Sequence, residues 1–177
     1  MNSIQFESMV PSELCLQCDV CCRFPQAESS LAPFFTEQET TRALDAGLSL
    51  ESFEGRRSGK ILLVPFPSDV VSPGHQEGCI CPAFNPRSQK CSIYDVRPFD
   101  CRLYPFALMR KPNDDGIILG IDTKCPFIRD SQNAGIIDYY GRELIKLLKN
   151  SSYQEMLNEN PGLIGPFQDD VTILYSF

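Results

Sequence analysis

The stretch CLQCDVCCRF, residues 15–24, places four thiols (Cys15, Cys18, Cys21 and Cys22) within eight consecutive positions. C-x2-C-x2-C spacing lets one short turn aim several thiolates at a common centre. Ferredoxin-type iron–sulfur ligation opens with such a run, and paired C-x2-C spacings also serve tetrahedral zinc. Cys79, Cys81, Cys91, Cys101 and Cys125 bring the total to nine cysteines. Eight of them suffice for two four-thiol sites, with Cys79 as the candidate spare thiol, a small apolar filler. Cys81 and Cys125 each precede a proline, which fixes the chain and removes a competing donor, as in cluster-binding loops. The chain has one histidine, His75, in a Pro/Gly loop, which excludes a Cys2His2 zinc site. His75 itself reads as an exposed loop residue rather than a ligand. A CxxC pair is also a redox motif, but no thioredoxin-like βαβ pattern surrounds this one.

The adjacency of Cys21 and Cys22 sets a geometric expectation. On a helix, Cys15, Cys18 and Cys22 share one face and Cys21 points about 100° away from Cys22. In an extended segment the pair faces opposite sides. The two side chains are therefore expected to diverge, serving two centres or opposite sides of one.

Composition narrows the partners. A formal charge of −7 without a basic stripe argues against nucleic acid and anionic membranes. No apolar run reaches the roughly 18–20 residues that span a bilayer, and the N-terminus lacks the pattern of a secretory signal. The expected location is the cytoplasm, where thiols stay reduced and dense cysteines point to metal or redox chemistry.

Some elements that must position the thiols are legible. Thr36 and Glu39 fit a capping box that opens a helix over about 37–46, with Gly47 as its stop. Ile61–Val64 reads as a strand ended by Pro65 and Pro67, and residues 65–90 as an irregular segment that cysteines tie down. Leu103–Arg110 and Gly116–Asp122 flank a turn at 112–116 and predict a hairpin. Ile136, Tyr140, Leu144, Leu147 and Leu148 recur at helical spacing from Ala134 to about Lys149. A second capping box at Ser152 and Glu155 predicts a short helix stopped by Pro161-Gly162, and Val171–Tyr175 reads as a terminal strand or a partner-binding tail. The fold class is α+β: a small irregular cysteine-rich metal-binding domain with a short β-hairpin and a packed C-terminal helix. A single domain over 1–177 is expected, with the cysteine part at about 15–130 and the helix and tail at about 131–177.

CLQCDVCCRF and CPAFNPRSQKCSIYDVRPFDCRLYPF, residues 81–106, together resemble the YkgJ-like cysteine-cluster family, a zinc- or iron-chelating domain. The ordered motifs are CxxCxxCC, a CPxF segment, CxIYxxRPxxCRxYP and a later CP. The resemblance implies Cys15, Cys18, Cys21, Cys22, Cys81, Cys91, Cys101 and Cys125 as metal ligands. It also picks out Arg97, Pro98, Arg102, Tyr104 and Pro105, while Asp19 stands where the family usually has glycine. Flagellin lysine methylases share the signature, but no glycine-rich nucleotide loop for a methyl donor is present.

A centre of four thiolates carries a net charge of about −2, whether it holds Zn²⁺ or an oxidised [4Fe–4S] cube, and needs nearby donors and positive charge. Arg23, Arg97, Arg102 and Tyr104 are the candidates to supply them. The expected function is a cysteine-ligated iron–sulfur protein, with [4Fe–4S] as the cofactor. A structural zinc interaction module with a protein partner is the first alternative. An iron–sulfur redox or methyl-transfer enzyme is the second, with a substrate cleft lined by groups such as Arg102, Tyr104 or Asp19.

Overall fold

The first cysteines lie on a chain without the periodicity of a long helix. In a computed structural model describing residues 6–70, 78–112 and 116–177, helix α1 covers only Ser12–Cys15 and a 3-10 turn covers Val20–Cys22. His75 and positions 113–115 of the expected turn lie outside the described residues. The chain's contacts divide into two units, Pro11–Cys101 on one side and Met1–Val10 with Arg102–Phe177 on the other.

In the first unit, strands β1 (Arg23–Phe24) and β2 (Phe34–Phe35) precede helix α2 (Glu37–Asp45). The Thr36 capping box is formed as expected, and Gly47 ends the helix at φ +102°, a conformation glycine adopts without a Cβ penalty. Next come β3 (Gly59–Lys60), β4 (Val64–Pro65), β5 (Cys79–Ile80), β6 (Phe84–Asn85) and β7 (Lys90–Cys91). These form a three-stranded antiparallel sheet, β1-β5-β4, and two ribbons, β2-β3 and β6-β7.

The expected strand over Ile61–Val64 is split. Ile61 and Leu63 are buried, but the Ile61 amide bonds Pro33 and the Leu62 amide bonds Ser52. Two partners claim neighbouring residues, so no single ladder extends through the run. Phe35, Phe53, Ile61, Phe66, Ile80, Phe84 and Ile93 form one apolar core, with Phe35 and Phe53 edge to face at 5.1 Å.

Glu39 reaches beyond its cap. One carboxylate oxygen accepts from the Thr36 amide and hydroxyl, and the other accepts from the amide of Phe99 at 2.6 Å. Phe99 begins helix α3 (Phe99–Leu103), which carries Cys101. Asp100 accepts in turn from the amide of Phe34 at 3.0 Å, and burial pushes its carboxyl up to about 6. Glu39→Ala is expected to lower the unfolding free energy by about 2–3 kcal/mol, because a buried amide and a helix start both lose their acceptor. Urea denaturation checks this; an unchanged midpoint would refute it.

The second unit contains β8 (Phe106–Arg110), β9 (Ile117–Asp122), α4 (Pro126–Arg129), α5 (Ala134–Leu148), α6 (Ser151–Glu159) and β10 (Val171–Ser176). The hairpin is antiparallel as expected, and the terminal segment joins it as a strand in the order β10-β9-β8. Its first strand starts at Phe106 rather than Leu103, because Phe99–Leu103 is helical after Pro98. Asn150, two residues beyond the end of α5, caps α6 in place of Ser152: its side-chain oxygen accepts from the Ser152 amide. Among the described residues no helix is long and apolar enough to cross a membrane.

Candidate metal centre

Backbone bonds, not side chains alone, gather the thiols of the first unit. The Cys81 amide donates to the Cys22 carbonyl at 3.1 Å, joining the N-terminal run to the end of β5. Gly78 lets β5 approach: its φ is +102°, and a Cβ there would sit 2.6 Å from the carbonyl oxygen of Phe24. Asn85 then accepts from the amides of Arg87 and Ser88, and this turn returns the chain so that Cys91 pairs with Phe84. The residue before a proline avoids helical geometry. Arg97 is accordingly extended (φ −49°, ψ 141°) before Pro98, and α3 begins directly after that proline with Cys101 as its third residue.

Seven thiols, Cys15, Cys18, Cys21, Cys22, Cys81, Cys91 and Cys101, line one cavity of about 40 Å³. A single water needs roughly 10–15 Å³ on the same measure, so there is space for a group of several atoms. The remaining wall is mostly apolar, from residues such as Leu16, Phe35, Phe84 and Ile93, with Tyr94 and Arg97. Among the described residues, no three His, Cys, Asp or Glu side chains are already set to hold a single metal ion.

The electrostatics show how the thiols relate. Cys21 is held well above the ordinary thiol range, first by a hydrogen bond with Cys22 and then by burial. Cys21 and Cys22 both line this cavity, and the hydrogen bond between their side chains brings together a pair expected to diverge. Burial pushes Cys81 up to about 12 and Cys101 well above the usual range, and raises Cys18 and Cys91. The nearby Cys21 adds, behind burial, to the rise of each of these four.

Arg97 offsets that burial. Its Nη1 donates to Cys15 Sγ at 3.3 Å, its Nε donates to the Tyr94 carbonyl at 3.1 Å, and its guanidinium lies 3.7 Å from the centroid of the Tyr94 ring. Its positive charge lowers Cys21 and Cys91 against the other effects. Arg97→Leu is expected to weaken metal retention by about 10- to 100-fold, the usual cost of losing a group that supports the ligands. Arg97→Lys should fall between, since an ammonium keeps the charge but not the planar fork. Competition with a chelator measures both, and equal retention by all three proteins would refute the role.

Arg23 pairs with Asp19 and lies over the Phe66 ring at 4.7 Å. Asp19 keeps a negative φ of −121°, which explains why this position needs no glycine. Arg102 donates to the Phe6 carbonyl at 3.3 Å and the Tyr104 hydroxyl to Asp122 at 3.3 Å, both within the second unit. Cys125 also belongs to that unit, buried at the N-cap of α4. Cys79 packs half-buried against the apolar core. Tyr94 was not singled out from the sequence, although it lies inside the CxIYxxRP run; its spacing of three from Arg97 was the available signal.

An acidic α+β chain with seven thiols on one cavity is a cysteine-cluster metal-binding domain. The chain belongs to the CxxCxxCC family, described as a "Putative zinc- or iron-chelating domain", whose model matches residues 14–126. No curated protein and no solved structure matches the chain.

Proposed function

We propose that Pro11–Cys101 holds one cysteine-ligated iron–sulfur cluster, [4Fe–4S], with ligands drawn from the seven cavity thiols, in a cytoplasmic protein. The observation that carries this reading is a multi-atom cavity lined by thiols. A single tetrahedral zinc and a [4Fe–4S] cluster each take four of the seven sulfurs; the zinc would need them drawn to about 3.8 Å from one another, whereas the cluster keeps its own atoms between them and so suits a multi-atom cavity. The donor set fits a cluster in chemistry too: it is almost wholly sulfur, with Arg97 beside it to balance negative charge. Such a cluster supplies one-electron chemistry or a cross-link. The chain's own contribution is to bind it, hold water away with Phe35, Phe84 and Ile93, and tie the 15–22 run to the 79–101 segment.

The test is purification without oxygen, followed by iron, zinc and acid-labile sulfide analysis. About four iron and four sulfide per chain are expected. Colourless protein with stoichiometric zinc and no sulfide would overturn the cluster in favour of a zinc module.

A further inference from the structure

A phenol and a guanidinium share the wall of the thiol cavity, and the guanidinium already has its bonds. Tyr94 opens the 3-10 turn Tyr94–Val96, and Arg97 lies flat against its ring at 3.7 Å while bonding Cys15 Sγ and the Tyr94 carbonyl. That stacking, together with the turn, restrains the ring at the cavity. Yet the Tyr94 hydroxyl is buried from solvent and has no hydrogen-bond partner among the described residues. Buried hydroxyls are normally paired, because an unmet one carries its full desolvation cost.

The chemistry of the wall says what kind of acceptor is missing. A protonated thiol is a weak acceptor, whereas a thiolate or sulfide bound to metal is anionic and takes a strong, charge-assisted bond. Tyr94 shares this wall with seven cysteines, and its neutral O–H is unused. We infer that Tyr94 is a binding residue of the metal centre, its hydroxyl donating to a metal-bound sulfur once the centre is filled. This rests on the proposed metal centre but not on whether the metal is iron or zinc. Arg97 and Tyr94 then divide the work: one supplies charge, the other a donor that leaves the net charge unchanged.

Tyr94→Phe deletes only the hydroxyl and tests the inference with opposite signs in the two states. Without metal, the variant should be as stable as the parent or more so, because a buried group without a partner has gone. With metal, purified anaerobically in parallel, it should surrender the ion to a competing chelator about tenfold more readily. Its sulfur-to-metal charge-transfer absorption should move to longer wavelength, since a sulfur that loses a donor becomes more electron-rich. A purely structural tyrosine would lower the stability of the metal-free protein and leave the band in place; that result overturns the assignment. Equal metal retention with an unmoved band also overturns it, while the parent protein's metal shows the centre itself to be sound. Failure of the parent to hold metal would bring down the centre and the inference together.

Discussion

Cys21→Ala should lose its metal, and Cys79→Ala should keep it. Cys21 lines the cavity and hydrogen-bonds Cys22. Removing it takes one sulfur out of the ligand set. Supporting residues cost about 10- to 100-fold in affinity when deleted, so loss of this ligand should exceed about 100-fold. Cys79 lies one strand position from the buried Ile80 and packs against the apolar core, outside the lining of the cavity. Metal per chain after gel filtration, with chelator competition, separates the two variants. Equal loss in both would mean that the variants act through general unfolding; metal retained by Cys21→Ala would refute its place as a ligand.

Metal uptake should strengthen steeply with pH, and should go on strengthening past the range where an ordinary cysteine has finished titrating. The sign follows from the direction of the shifts. Cys81 is pushed from an ordinary 9.0 to about 12, and Cys21 and Cys101 also stand well above the usual value. Below those values each thiol carries a proton that the metal must displace, so affinity rises with pH by about tenfold per unit for each such ligand. With all three engaged, the rise is about 1000-fold per unit. Zinc(II) titrated against a competing indicator at several pH values measures the slope; a plateau at the pKa of a solvated thiol would refute the burial account. The metal-free fold should respond the other way. Its thiols hold protons more tightly than those of the unfolded chain, so its stability is full below the ordinary value of 9.0 and declines as pH rises from there towards the folded value.

The parts of the fold that could be read in the sequence are those with local causes. Thr36 and Glu39 carry their own cap within four residues, and the spacing of Leu144 and Leu148 shows the buried stripe of α5. The paired runs around residues 112–116 specify their hairpin in the same way. The elements that surround the thiols have no period to detect. Strands of two residues, such as β5 and β7, exist because the Cys22 carbonyl takes the Cys81 amide and because Asn85 turns the chain back. Helix α3 escaped notice because five residues between prolines carry no amphipathic signal.

The site shows the same division. Spacing and motif named the seven cavity thiols and Arg97. They also named Arg102, Tyr104 and Cys125, which the chain carries in its other unit. No pattern in CLQCDVCCRF announces that the side chains of Cys21 and Cys22 meet.

The double role of Glu39 bears on how ordering is distributed between folding and ligation. Its bond to the Phe99 amide, with that of Asp100 to Phe34, spans sixty-odd residues of sequence and uses no sulfur. The wall that presents Cys101, Arg97 and Tyr94 is thus immobilised by carboxylates before any metal arrives. Conformational entropy lost there is charged to folding and not to ligation, and a preorganised receptor binds tighter for the same contacts. The 15–22 run, with one short helix and one 3-10 turn of its own, is fastened to that wall through the Cys22 carbonyl and Cys15 Sγ, and the metal must quench the freedom those bonds leave.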